Sequence, residues 1–477
     1  MSDVDSSAAS DPVRAALEAF FAPRFAAAEY STFSVPRLCV AFSGGCDSVV
    51  LLDALSRLPL LKERGILLSA LHIHHGLSPH ADDWAAFCSG FCAARSIALS
   101  IVAVKPGDRA RRGLEAAARE ARYRAFNAHD CDWLALAHHA DDQAETLLLN
   151  LLRGAGVQGA AAMPEERALN LSCASPDSGT RLLRPFLSLP RATLETYAKA
   201  RGLDWVDDES NADDRLTRNY LRREIIPLLK ARFPSATRTL TRAAAHFSES
   251  AELLAALAGE DLGLVGAGPG SSGGVLVRAA FLKLPPIRAR NLLRYEFLRR
   301  GRRAPPARWL DEALRQLRAV GADAQLRLSH DAIEIRLYRG EIHFLPLPQQ
   351  RPVPCVWQGE AELAWGNGGR IRFVATEGTG LSRALLENAP VRLALRQGGE
   401  KLRLGLAGSR RSLKDLLREA ALPPWERAAL PFLWCGGQLA WIGGIGSDCA
   451  FHCPPGAPGI EPVWEKMQDS FLPGVIQ

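Results

Sequence analysis

Between Arg37 and about Phe186, short apolar runs alternate with stretches whose apolar residues recur at helical spacing. Leu38–Phe42, Leu67–Ile73, Ala98–Val104 and Trp133–Ala137 are the strand candidates, with helices expected near Ser48–Leu58, Ala81–Ala94 and Leu114–His129. This rhythm predicts an α/β fold, a doubly wound parallel sheet with helices on both faces. A leader over 1–12 and an amphipathic helix over Val13 to about Ala28 precede it. Helices near Arg191–Ala200 and Leu221–Lys230 follow, flanking the polar loop Asp204–Asn219.

Beyond a helix around Thr237–Ala258 and the Gly/Ser stretch Gly259–Gly274, the pattern turns helical and basic to about Val320. Strands are expected at Ala324–Leu328 and Ala332–Leu337. The proline-rich run Leu345–Pro354 reads as a second connection, and the last segment as strand-like patches with a helix at Ser412–Ala420, closing near Pro454–Pro458. The expected organisation is a leader and N-terminal helix over 1–36, an α/β catalytic domain over 37–235 and a helical basic middle domain over 236–345. A linker region over 346–389 and a small α+β domain over 390–465 complete it.

Ligands of an open parallel sheet bind beyond the carboxyl ends of its strands, where the topology switches. Three strand candidates end in chemically able residues. The first runs into Ser43-Gly44-Gly45-Cys46-Asp47-Ser48, the second into His72–Ser78, the fourth into His138-His139-Ala140-Asp141-Asp142-Gln143. Paired glycines before a helix start form a mould for phosphate, because amide N–H groups at a helix N-terminus point outward. The loop lacks the lysine of a Walker-type phosphate loop. Each segment also has a plain structural reading. His72 and His74 could be satisfied strand side chains, Asp142 with Glu145 fits a capping box, and Arg153-Gly154 fits a helix-ending turn.

Composition narrows the class. The chain has 477 residues, 47% hydrophobic and 23% charged, the mixture of a folded globular protein of more than one domain. No apolar run is long enough to span a membrane, the acidic N-terminus argues against a signal peptide, and none of the ten cysteines forms a C-x-x-C pair. A cytoplasmic protein without a zinc or iron–sulfur site is expected. Net charge is +6, yet Arg278–Arg318 alone carries +9. Such a block is the footprint of a polyanion binder, or else of solvated arginines in an arginine-rich chain.

The glycine turn resembles the PP-loop of ATP pyrophosphatases, and the whole set of motifs resembles the bacterial tRNA(Ile)-lysidine synthetases. The match rests on Ser43–Ser48, His74-His75-Gly76-Leu77-Ser78 and Ala137–Thr146, then Arg153-Gly154-Ala155-Gly156 and Leu183–Leu187. Asp208-Glu209-Ser210-Asn211 and Arg218–Arg222 extend it, and Arg396–Lys401, Arg411–Leu417 and Pro423–Arg427 carry it to the C-terminus. The resemblance implies that ATP adenylates C2 of the wobble cytidine in an isoleucine tRNA with a CAU anticodon. Free L-lysine would then displace AMP to give lysidine, switching codon and amino-acid identity from methionine to isoleucine.

It further implies ATP held by Ser43, Gly44, Gly45, Cys46, Asp47, Ser48 and His74, with Mg²⁺ oriented by Asp47. Asp47, His138, Asp142 and Arg218 become the catalytic candidates. Asp141, Arg153, Arg222, Arg294, Arg299, Arg300, Arg410, Arg411 and Lys414 become the candidates for lysine or tRNA. A carboxylate such as Asp142 or Asp141 is suited to the lysine ammonium. No membrane partner is expected, and a homodimer is compatible with the sequence. The rival readings are a PP-loop tRNA thiolase, against which the missing C-x-x-C tells, and a non-catalytic RNA-binding protein.

Overall fold

The computed structural model describes residues 11–27, 35–76, 78–104, 114–169, 179–207, 217–267, 274–321, 326–347, 352–366, 369–405, 408–420 and 422–465. Leu77 and the Asp208–Asn211 motif lie outside these. The chain divides into two units, parted between Glu260 and Asp261.

The first unit is built on a six-stranded sheet of β1 (Arg37–Ala41), β2 (Leu67–His74), β3 (Ala98–Ala103), β4 (Trp133–Ala135), β5 (Glu166–Ala168) and β6 (Arg181–Leu183), in the order β3-β2-β1-β4-β6-β5. All neighbours pair in parallel except β5 with β6. Alternate residues feed two cores. Leu38, Val40 and Ala135 join α1 (Pro12–Ala27) and α2 (Cys46–Ser56) on one face. Cys39, Leu71, Leu134 and Leu182 meet Phe126 on the other. Two-sided burial is why these strands read as continuous apolar runs.

The remaining helices of this unit are α3 (Pro59–Glu63), α4 (Ala81–Ala93), α5 (Leu114–Ala128), α6 (Ala140–Leu152), α7 (Val157–Ala160), α8 (Arg191–Ala200), α9 (Thr217–Tyr220) and α10 (Ile226–Arg232). Residues Leu221–Ile225 between α9 and α10 form a π-helical turn. Pro227 just beyond has no N–H to close a regular turn, which favours the wider one. α11 (Ala236–Val265) follows. Asp53 on α2 is fully buried and accepts from Arg57 at 3.1 Å, Arg95 at 3.0 Å and the Tyr197 hydroxyl at 3.0 Å, which fixes α2 against α8 and the chain following α4.

In the second unit, helices α12 (Arg278–Phe281), α13 (Pro286–Leu298) and α14 (Ala307–Ala319) accompany an antiparallel sheet of β7 (Leu276–Val277), β8 (Arg327–His330), β9 (Ile333–Tyr338) and β10 (Glu341–Pro346), ordered β7-β10-β9-β8. Leu310, Ala313, Leu314 and Leu317 form the buried stripe of α14. The interval 346–389, expected as a linker region, holds strands at Cys355–Trp357, Glu362–Trp365, Gly369–Glu377 and Leu381–Ser382. Gly369–Glu377 pairs with a final strand, Pro458–Glu465, so the fold continues past the expected close at Pro454–Pro458. The sequence's N-terminal parallel-sheet domain, basic helical region and smaller C-terminal α+β region are all present. Among the described residues no helix is long and apolar enough to cross a membrane.

Candidate active site

β1 lies between β2 and β4, and all three run parallel, so their carboxyl ends share one rim. At the first of these ends Gly44 takes φ +86°, a backbone that strongly favours glycine. A Cβ there would stand 2.9 Å from the Val206 side chain and 3.2 Å from the Cys88 sulfur. The turn is braced by Ser48 Oγ donating to the Gly45 carbonyl at 2.9 Å, by the Ser43–Ser48 hydroxyl contact at 3.1 Å, and by the Val206 N–H on the Gly44 carbonyl at 3.0 Å. Gly45 caps α2 without a side-chain acceptor, leaving the first-turn amides directed outward. Cys46 is buried, and burial first, then Asp47, pushes its thiol up to about 11. It remains a thiol at neutral pH.

The rim after β4 meets this loop directly. His139 Nε2 lies 3.6 Å from Asp47 and 3.4 Å from Asp142. His139 is also the N-cap of α6, in a reciprocal box with Asp142. The box therefore pairs His139 with Asp142, not Asp142 with Glu145. Burial opposes charge on His139, but Asp47, Asp142 and Asp141 together raise its pKa. The long 3.4 Å bond from the Asp142 N–H to Nδ1 needs an unprotonated nitrogen, and three carboxylates outweigh it.

Glu145 occupies the next turn and is 1% exposed. Arg218 bonds Glu145 at 2.9 Å and Asp142 at 3.1 Å, and Arg222 bonds the same two at 2.6 Å and 2.8 Å. Burial alone would raise the Asp142 pKa; His139 and the two arginines reverse this and lower it. His138 is held neutral, its pKa lowered to about 3 chiefly by burial, with Arg184 and Arg218 adding to the effect against Asp142. Gly154 takes the left-handed conformation after the helix, as the turn reading expected, and Arg153 at the cap is exposed.

Several expected site residues are otherwise engaged. Asp141 accepts the Arg191 N–H at 3.0 Å, Lys230 at 2.6 Å and the Thr237 hydroxyl at 3.3 Å. That carboxylate ties four helices together. His74 lies 3.0 Å from Asp82 across to α4. Arg299 and Arg300 grip the fully buried Glu296, and the Arg300 side chain is 1% exposed. The enclosed Arg300 guanidinium and its neighbour Arg299 are both committed to this ion pair. Arg294 is half-buried near Arg290 and Asp311. Arg410 and Lys414 are exposed, and Arg411 pairs with Glu419. Sequence reasoning missed Glu145 as a site carboxylate, although its i, i+3 spacing from Asp142 places both on one helix face. It also missed Arg184.

Asp47 suits a Mg²⁺ ion. Its Oδ1 is buried without a hydrogen-bond partner, and Mg²⁺ is commonly held by one or two carboxylates together with substrate phosphates.

The sheet and its glycine turn define a PP-loop nucleotide-binding protein, and the PP-loop domain family model matches residues 14–229. The TilS substrate binding domain matches 276–343, and the TilS substrate C-terminal domain matches 391–464. The tRNA(Ile)-lysidine synthase of Nitrosomonas europaea is 43% identical over 91% of this chain and 92% of its own length. Those of an Azoarcus species (43%, 90% and 91%) and Pseudomonas aeruginosa (41%, 85% and 89%) are similar over nearly as much. The chain belongs to the tRNA(Ile)-lysidine synthase family. The thiolase reading falls with this match, and the buried, protonated Cys46 agrees.

The charge arrangement gives a pH signature. His138 binds its proton only near pH 3 in the fold but near 6.5 when unfolded, so its contribution to stability is present above 6.5 and lost as pH falls towards 3. Asp142, with its lowered pKa, adds a loss below about 3.8. Thermal melts should show the melting temperature falling between pH 6.5 and 4. His138→Gln should flatten that fall; an unchanged slope would contradict the assignment.

Proposed function

We propose that this enzyme adenylates C2 of the wobble cytidine of a CAU-anticodon isoleucine tRNA and then joins L-lysine there. The ATP triphosphate sits on the amides of Gly45–Ser48, and Asp47 holds Mg²⁺, which supplies charge neutralisation at the phosphates. In the second step the lysine ε-nitrogen bonds to C2, and the original O2 leaves with AMP. Asp142 and Glu145 form a buried anionic pair able to receive the lysine ammonium once Arg218 or Arg222 yields. The lowered pKa of Asp142 suits it to binding that ammonium more than to taking its proton.

The 236–345 and 390–465 segments are assigned to tRNA. A cleft of about 410 Å³ between α13 and α14 in the first is lined by Arg290, Arg315 and Arg318 together with Asp311. Arg290 pairs with Asp311 and Arg315 with Glu312 across partly exposed contacts, which a tRNA phosphate would replace. Exposed Arg410 and Lys414 offer them in the second. Cytoplasmic location and action without a membrane follow from a tRNA substrate.

The observation that carries this reading is the 3.6 Å approach of His139 to Asp47, which joins the phosphate loop to the Asp142–Glu145–Arg218–Arg222 cluster. Incubating the protein with ATP, L-lysine and transcribed isoleucine tRNA should add one lysine less one water to the wobble cytidine. Mass spectrometry of nuclease fragments reads this directly. An unmodified cytidine with intact tRNA and folded enzyme would overturn it.

A further inference from the structure

His138 and Arg184 form a contact that the reaction as described does not use. Arg184 follows β6, is 3% exposed, and directs its Nε–H at His138 Nδ1 over 3.3 Å, while its Nη1 donates to the Pro164 carbonyl at 2.6 Å. A guanidinium has no lone pair to offer, so the histidine nitrogen facing it must be the acceptor. In a neutral imidazole the hydrogen then resides on Nε2. No group among the described residues bonds that Nε2, and His138 is half-buried at the rim beside Asp142.

We propose that Arg184 is a positioning residue that locks His138 as the Nε2–H tautomer, presenting a fixed hydrogen-bond donor to the oxygen shared by cytosine C2 and the AMP group. This rests on the proposed lysidine chemistry for its substrate, but not for its tautomer. No proton moves: the donor stabilises charge growing on the oxygen as AMP leaves, and His138 is not the base for lysine. A neutral donor pre-aimed at such an oxygen requires no rearrangement during the step. Protonating Nδ1 would set N–H against N–H, in keeping with the depressed basicity of the ring. The groups facing His138 are Asp142 on α6, Arg218 on α9, Arg119 on α5 and Arg184 itself. Only the carboxylate favours its charge.

The test uses full-length enzyme labelled with ¹⁵N-histidine, the His138 signals being those missing from His138→Gln. The wild-type spectrum should show a neutral ring protonated at Nε2 from pH 8 to 5. Arg184→Met should give mixed tautomers that titrate nearer the ordinary histidine range. Its kcat should fall about 10- to 100-fold, with the KM values for ATP and tRNA little changed and a new acidic limb in the pH profile. Arg184→Lys, which keeps a cationic donor, should restore part of kcat. An Nδ1–H tautomer in the wild-type spectrum would overturn the proposal even if the variants failed to fold. So would a folded Arg184→Met enzyme that kept both the Nε2–H signature and its kcat. Because the spectrum needs no substrate, failure of the tautomer and failure of the lysidine reading are separable.

Discussion

Asp142→Asn enzyme should lose lysidine formation by about 10²- to 10³-fold or more while staying folded. The side chain is nearly isosteric, and an amide oxygen can still accept the His139 N–H that completes the cap of α6. What disappears is the negative charge that Arg218, Arg222 and His139 all address. Those cations would then face Glu145, Asp47 and Asp141, and a lysine ammonium would meet a site less anionic by one charge. Single-turnover assays with labelled lysine should show the loss, and circular dichroism melts should show a fold retained at neutral pH. Activity within a few-fold of wild type would remove Asp142 from the mechanism.

Gly44→Ala should act at the other end of the site. A left-handed alanine costs about 1–2 kcal/mol. Crowding against Val206 and Cys88 adds about 1–3 kcal/mol, because the new methyl would lie 2.9 Å and 3.2 Å from their atoms. The loop would relieve this by shifting, which turns the α2 amides away from the phosphates. The KM for ATP is expected to rise at least about tenfold, the equivalent of 1.4 kcal/mol. Gly65→Ala is the control, since Gly65 is also left-handed at φ +64° but has nothing within 4 Å of its added Cβ. It should lose stability without losing ATP affinity. Equal ATP kinetics for the two variants would show that the turn does not seat the triphosphate.

Much of this site was legible because it is built from strand ends. The four apolar runs became β1 to β4 within a few residues. Two-sided burial explains the clarity of β1, β2 and β4, while β3 lies at the sheet edge and is largely exposed. Histidines and aspartates follow more than one of these runs, and parallel neighbours bring their carboxyl ends to one edge, which is why the rim stood out. β5 and β6 escaped because each has only three residues and starts on a charged side chain, whereas the equally short β4 sits in the longer apolar run Trp133–Ala137. The 346–389 interval misled because prolines and glycines punctuate its short strands, and only pairing with the distant Pro458–Glu465 reveals them. Charge was the least transparent signal. Arg299, Arg300 and Asp141 looked like ligand-facing groups, yet their partners are Glu296, Arg191, Lys230 and Thr237. Glu296 stands at i, i+3 and i, i+4 spacing to the two arginines, a pattern that was readable although its burial was not. The partners of Asp141, by contrast, lie 50 to 96 residues away.

Placing β1 between β2 and β4 has a consequence for how the enzyme comes into being. Its first-made strand is also its innermost, and it waits for a partner translated almost a hundred residues later. Until that partner docks, the phosphate loop has neither His139 nor the paired acids beside it. A ribosome-bound fragment ending before Trp133 therefore lacks β4, His139, Asp142 and Glu145, and its phosphate loop stands without the other half of the reaction centre.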